Sequence, residues 1–196
     1  MSTCKCIFNS KNTGITKWLV EKIGPVLMGT KPAELLSFLN NDEDLNKKLS
    51  IINNSLGRCV RVKHKVIKLK NNNVKVLFYN ENKLNNVLTD KRNIKFLKQQ
   101  GYPKEYNFQD YMRKLISKIA LGIIPHEIGI FLGYPLKDVL GFIGHPSLKL
   151  TKICGWRVYG YSEPSDQIFN AIQNSKQTIK SLLKNKAPEE VLLMSV

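Results

Sequence analysis

Residues 58–79 read RCVRVKHKVIKLKNNNVKVLFY, and the period of this stretch decides the fold. Its first half alternates in character at every position, the two-residue repeat of a strand, whereas the segments around it repeat apolar residues every three or four positions. Val60, Val62, His64 and Val66 fall on one face, and Arg61, Lys63 and Lys65 on the other. Asn71, Asn72 and Asn73 follow as a turn triplet, because asparagine tolerates positive φ, and VKVLFY returns as a second strand. Two strands joined by a short polar turn predict an antiparallel hairpin over about residues 59–79. Its apolar face is expected to pack inward, with Lys75 joining the basic outer face. His64, in the apolar row, is read as a half-buried core histidine.

Working outward, CGWRVYGY is short, aromatic and bounded by glycines, and it predicts a third strand at about 154–160 that joins the hairpin. Trp156 and Val158 take one face, Arg157 and Tyr159 the other. The remaining chain has helical spacing. Ile15, Leu19 and Ile23 mark a first helix that Gly24-Pro25 ends or interrupts. A second helix is predicted from Thr30-Lys31-Pro32 through Leu35, Leu36 and Leu39, and a third over 42–53. Two short helices fill 81–100, and one lies within 104–122 with Arg113, Lys114 and Lys118 outside. A long helix spans 164–184 with Lys176, Lys180 and Lys184 in an exposed row, and PEEVLLM closes the chain. The fold class is α+β: a small antiparallel sheet covered by multiple short helices, in one domain over residues 1–196.

Proline followed two residues later by Glu or Asp recurs at Pro32, Pro103, Pro125, Pro164 and Pro188. Proline suits the first helical position, and a carboxylate two residues on meets unpaired amides, so each is predicted to open a helix. Glu127 of PHEIGIFLGYP (residues 125–135) is thereby a helix-start residue. The zinc-protease pattern H-E-x-x-H fails here, since the second histidine position is Ile130. His126 has two readings: a neutral imidazole serving as base, donor or partner contact, or a ring packed on the neighbouring Gly-Tyr-Pro turn. That tripeptide occurs at 101–103 and 133–135, with glycine ending one helix and proline opening the next.

The chain carries a net charge of +16, from 31 basic and 15 acidic residues, which favours acidic partners. Arginine occupies only positions 58, 61, 92, 113 and 157, however, and base readout prefers arginine. The excess is equally consistent with a solvated lysine surface. Cys4, Cys6, Cys59 and Cys154 lack the spacings of a zinc site, and no signal or membrane-spanning stretch is visible, so a soluble, cytoplasmic protein with reduced thiols is expected.

Lys31-Pro32-Ala33 after Gly29-Thr30, the Val76–Tyr79 strand, Phe96-Leu97 before Gly101-Tyr102-Pro103, the block from Pro125 to Phe142, and Cys154-Gly155-Trp156-Arg157-Val158-Tyr159-Gly160 occur in that order. This pattern resembles the DUF3793 family of clostridia and related Firmicutes, over nearly the whole chain. The resemblance transfers no catalytic role; it implies a redox- or iron-linked, flavodoxin-type setting. Three functional classes follow. The first is an accessory protein docking an acidic partner, with Arg61, Lys63 and Lys65 on the hairpin as contacts. The second is a small-molecule or cofactor-binding enzyme built on His126, Glu127, Tyr134 and Cys154, with Lys31, Trp156 and Tyr159 as further ligand contacts. The third is single-stranded nucleic-acid binding, in which Tyr79 stacks bases beside the basic hairpin face. No phosphate-cradling loop, metal motif or cofactor fingerprint selects among them.

Overall fold

The structure, a computed structural model, describes residues 10–39 and 41–194. Cys4 and Cys6 lie outside these. In chain order the elements are α1 (Ser10–Leu27), β1 (Ala33–Phe38), α2 (Leu45–Leu56), β2 (Lys63–Lys68), β3 (Val74–Tyr79), α3 (Glu81–Thr89), α4 (Lys91–Gln99) and α5 (Phe108–Ala120). There follow α6 (Ile128–Phe131), α7 (Leu136–Phe142), β4 (Leu150–Cys154), β5 (Trp156–Tyr159), α8 (Glu163–Asn185) and α9 (Pro188–Leu193). The fold is α+β.

The hairpin forms as the alternation predicts, with Asn72 at φ 62° in its turn. Its third strand is β1, which makes an antiparallel sheet of order β1-β3-β2. Helices cover both faces. Ala33, Ile67, Leu77 and Tyr79 pack on a core built from α3 to α7, around Leu84, Leu97, Tyr111, Leu115 and Phe131. Phe38, Val74, Val76 and Phe78 face α1, α2, α8 and α9, around Leu19, Ile23, Ile52, Ile179 and Val191. Burial on both sides explains why β3 reads as an almost unbroken apolar run.

Four expectations need correction. The segment from Thr30 is strand β1 instead of a helix. A residue before proline disfavours the α region, and Leu35 and Leu36 each meet a core, one on either side of the sheet. The apolar row of β2 holds only in part: Val62, 1% exposed, is buried as expected, but Val66 is 39% exposed and Ile67, on the row of Lys63 and Lys65, is 2% exposed in the opposite core, while Lys63 and Lys65 themselves stay exposed. The strand at 156–159 does form, but it pairs with β4 in a separate two-stranded sheet. Finally, α1 runs through Gly24-Pro25 to Leu27. Gly24 is needed there, since a Cβ would lie 2.9 Å from Cγ1 of Ile179 on α8.

The proline grammar holds at Pro164 and Pro188, which open α8 and α9. It fails at Pro32, which leads into β1, and at Pro103, since Asn107 caps α5 with its side chain accepting from the amides of Gln109 and Asp110. It fails at Pro125 as well, because α6 begins only at Ile128. Both Gly-Tyr-Pro corners place glycine in the left-handed region, Gly101 at φ 83° and Gly133 at φ 84°. Gly133 is further constrained, as a Cβ would stand 2.5 Å from Cδ of Pro32.

Candidate functional site

The block from Ile124 to Phe142 folds back on β5 and leaves a cavity of about 590 Å³ between them. Its floor is Ile128, Gly129 and Val139, where α6 meets α7. Gly129 permits that approach, because a Cβ would lie 2.7 Å from Cγ2 of Val139. One wall is aromatic: the Tyr134 and Trp156 rings stack at 4.8 Å with 22° between planes, and Phe169 meets Trp156 edge-on at 6.2 Å. The mouth carries Phe142, exposed, with the His126 ring T-shaped against it at 5.2 Å and the Arg157 guanidinium 5.8 Å from its centroid. Ile124 and Pro125 complete the rim.

Trp156 is oriented from behind by Asp138, which is 2% exposed and whose carboxylate accepts two hydrogen bonds at each oxygen. Oδ1 accepts from Lys137 Nζ at 2.7 Å and from the Tyr159 amide at 2.8 Å. Oδ2 accepts from Trp156 Nε1 at 2.8 Å and Ser165 Oγ at 2.7 Å. Burial alone would raise the Asp138 pKa, but donation from Lys137, Ser165, the Tyr159 amide and Trp156 outweighs it and holds the carboxyl below its ordinary range. Lys137 also donates to the Tyr159 carbonyl and Ser165, so this node ties α7, β5 and α8 together.

Glu127 turns away from the cavity. It is 3% exposed and accepts from Lys118, which bends inward from α5 and also donates to the Gln100 carbonyl at 2.9 Å. The Tyr102 hydroxyl reaches the same carboxylate oxygen at 3.4 Å. Burial, then the charge of Glu127 and its hydrogen bond, push the Tyr102 phenol well up. Glu127 thus stands at the start of α6, as its N-cap residue, but its carboxylate makes no capping bond and serves as a buried anchor, and Lys118 is not an outward-facing lysine.

The structure therefore gathers His126, Tyr134 and Trp156 at one cavity and leaves other predicted residues elsewhere. Lys31, 7% exposed, pairs with Glu34 at 2.7 Å and lies 5.7 Å from the Tyr134 ring centroid, supporting the wall without lining the cavity. Tyr159 is buried against Gly141, where a Cβ would fall 2.2 Å from its ring. Cys154 sits at the end of β4, half-buried and apart from the lining. Arg61 donates to the carbonyls of Leu27 and Leu192 at 3.3 Å each, tying α1 to α9. Lys63 pairs with Glu81, while Lys65 is exposed. Tyr79 is buried against Phe108, so it offers no stacking platform for a nucleic-acid base. His64 is half-buried as expected; it contacts Asn53 Oδ1 at 2.7 Å, and burial, then Lys65, lower its pKa.

Sequence reasoning missed Asp138, Phe142 and Arg157 as site residues. The available signal was the density of aromatic and glycine residues in two segments, 125–142 and 154–160, that share no local period. Chemically, His126 has no carboxylate partner among the described residues, and Asp138 has no unoccupied lone pair directed at the cavity. A base with an orienting partner is what acid–base or nucleophilic catalysis requires, whereas the lining present suits holding a ligand. No three His, Cys, Asp or Glu side chains gather as a metal site among the described residues.

The fold and cavity define an α+β protein whose sheet lies between two helical layers, with an aromatic-walled cleft at the edge of one of them. Residues 19–193 match the model of a family described as a protein of unknown function, DUF3793, and the chain belongs to that family. No curated protein and no solved structure matches the chain. Among the described residues no helix is long and apolar enough to cross a membrane.

Proposed function

We propose that this protein binds a small organic ligand in the cleft between α6, α7 and β5. The observation that carries this reading is the stacked Tyr134–Trp156 wall, held in place by Asp138 and facing a 590 Å³ apolar cavity with His126 and Arg157 at its mouth. A mostly apolar concavity with few polar groups at its edge is the general form of a small-molecule site. The role is binding, with His126 as a contact at the rim. Ligand-observed NMR screening of small aromatic and aliphatic compounds tests it. Hits are expected to compete for one site and to be lost in Phe142→Asp, an exposed substitution that leaves the core intact. Hits unaffected by Phe142→Asp, or none at all, would refute the reading.

A second reading is favoured by a separate surface. Lys176 and Lys180 on α8, with Lys22 on α1, line a shallow groove of about 450 Å³ that also holds Glu21 and Glu34. Lys184 continues the exposed row. An acidic protein of the flavodoxin type, the setting the family resemblance implies, would dock here through fast, salt-sensitive contacts. Retention of such a partner that survives high salt, or survives K176E/K180E/K184E, would count against it.

A further inference from the structure

We infer that the ligand of the cleft is a compact aromatic monoanion of the carboxylate type, with its ring against the Trp156 wall and its charge at Arg157. This deepens the reading of the cleft as a ligand site and rests on it. The charges around the cavity lead to the assignment. Asp138 is the carboxylate in the lining, and with two donors on each oxygen, one of them the Lys137 ammonium, it is neutralised and has no acceptor left for a cationic or donor-rich ligand. The Arg157 guanidinium, by contrast, has no carboxylate partner among the described residues; it rests over the Phe142 ring, 5.8 Å from the centroid. A guanidinium so placed keeps its donor fork for a planar oxyanion, and a carboxylate matches it with two parallel hydrogen bonds.

The shape of the lining supplies the other half. Tyr134 and Trp156, stacked on each other, line the cavity as one aromatic pair, and Phe142 stands at the mouth. Aromatic walls favour an aromatic body, which gains offset or edge contacts as well as burial. A single uncompensated cation at the lip selects one negative charge. A zwitterion would bring an ammonium into a lining whose one carboxylate, Asp138, is already taken by four donors.

The test compares 3-phenylpropanoate with its neutral amide, 3-phenylpropanamide, by NMR titration of the full chain at low ionic strength. The carboxylate is expected to bind about ten- to a hundredfold tighter than the amide, the range of a charge-assisted hydrogen bond. Arg157→Gln, an exposed substitution checked for unchanged melting, is expected to abolish that preference, the carboxylate losing more affinity than the amide. Equal binding of both compounds to the wild type would overturn the assignment of charge but leave the cleft as a ligand site. A preference that persists in Arg157→Gln would overturn the role of Arg157. Binding of neither compound would overturn the inference, and failure of the broader screen as well would overturn the site itself.

Discussion

Asp138→Ala removes the acceptor that serves four donors at once, and its cost can be worked from the geometry. The Tyr159 amide and Ser165 hydroxyl lose a buried partner, and Trp156 Nε1 a partly buried one. A stranded buried donor costs about 1–3 kcal/mol, so three at the low end reach about 3 kcal/mol. Lys137 loses its counter-charge but keeps the Tyr159 carbonyl at 2.9 Å and Ser165 Oγ at 2.8 Å, and it retains some access to water. The total expected is therefore about 3–5 kcal/mol, the range for breaking a buried pair. That is a large share of the roughly 5–15 kcal/mol that stabilises a typical domain. Urea denaturation followed by circular dichroism measures it, with Asp138→Asn, which keeps one acceptor oxygen, falling in between. The same carboxylate gives a pH signature. Its folded pKa lies below the unfolded one, so its contribution is complete above the unfolded value near ~4 and is lost as pH falls toward the folded value. Asp138→Ala should accordingly show a shallower acid loss than the wild type below about pH 4. A loss under about 1 kcal/mol in urea would refute the reasoning, since it would mean that the donors find water or other partners without penalty.

Three further outcomes are expected. Gly141→Ala places a Cβ 2.2 Å from the Tyr159 ring and should destabilise by about 1–3 kcal/mol, read as a drop in Tm of several degrees. Glu127→Gln removes the charge facing Lys118 and should cost about 1–3 kcal/mol in urea unfolding, below the figure for Asp138→Ala because Lys118 reaches solvent. At alkaline pH, burial raises the phenols of Tyr102 and, to about 12, Tyr106; charging is thus favoured in the unfolded chain, and stability should be retained below pH 10 and fall between 10 and about 12. Spectrophotometric tyrosine titration alongside the unfolding curve checks this, and a population of tyrosines that ionises only with unfolding is the expected sign.

The hairpin was legible because residues 60–66 alternate and three asparagines follow, and the long helices because their apolar stripes hold a constant period. What was not legible depends on pairing over long distances. Thr30–Leu39 has leucines at helical spacing, and nothing local reveals that Leu35 pairs with Leu77 in a sheet covered on both sides. The same double coverage split the reading of β2: Val62 is buried as the alternation implied, but a second core buries Ile67 on the opposite row and leaves Val66 partly in solvent. Part of the site was visible: His126, Tyr134 and Trp156 stood out as aromatic or titratable residues beside glycine turns. Asp138 did not, because its importance lies in donors from Trp156, Tyr159 and Ser165, 18 to 27 positions away. Glu127 was half read for the opposite reason: its place at the start of α6 was legible, but that local explanation concealed a long-range partner, Lys118.

The two tryptophans offer the most direct test of the central claim. Trp156 forms the wall of the cleft, and Trp18 packs edge-on against Phe38 in the core on the other side of the sheet. In 15N-labelled protein each indole N–H gives its own resonance, assigned by Trp156→Phe. On titration with a hit from the compound screen, the Trp156 indole should shift to saturation while the Trp18 indole stays still. A still Trp156 resonance at saturating ligand, or one that moves no more than Trp18, would place the ligand elsewhere and contradict the account.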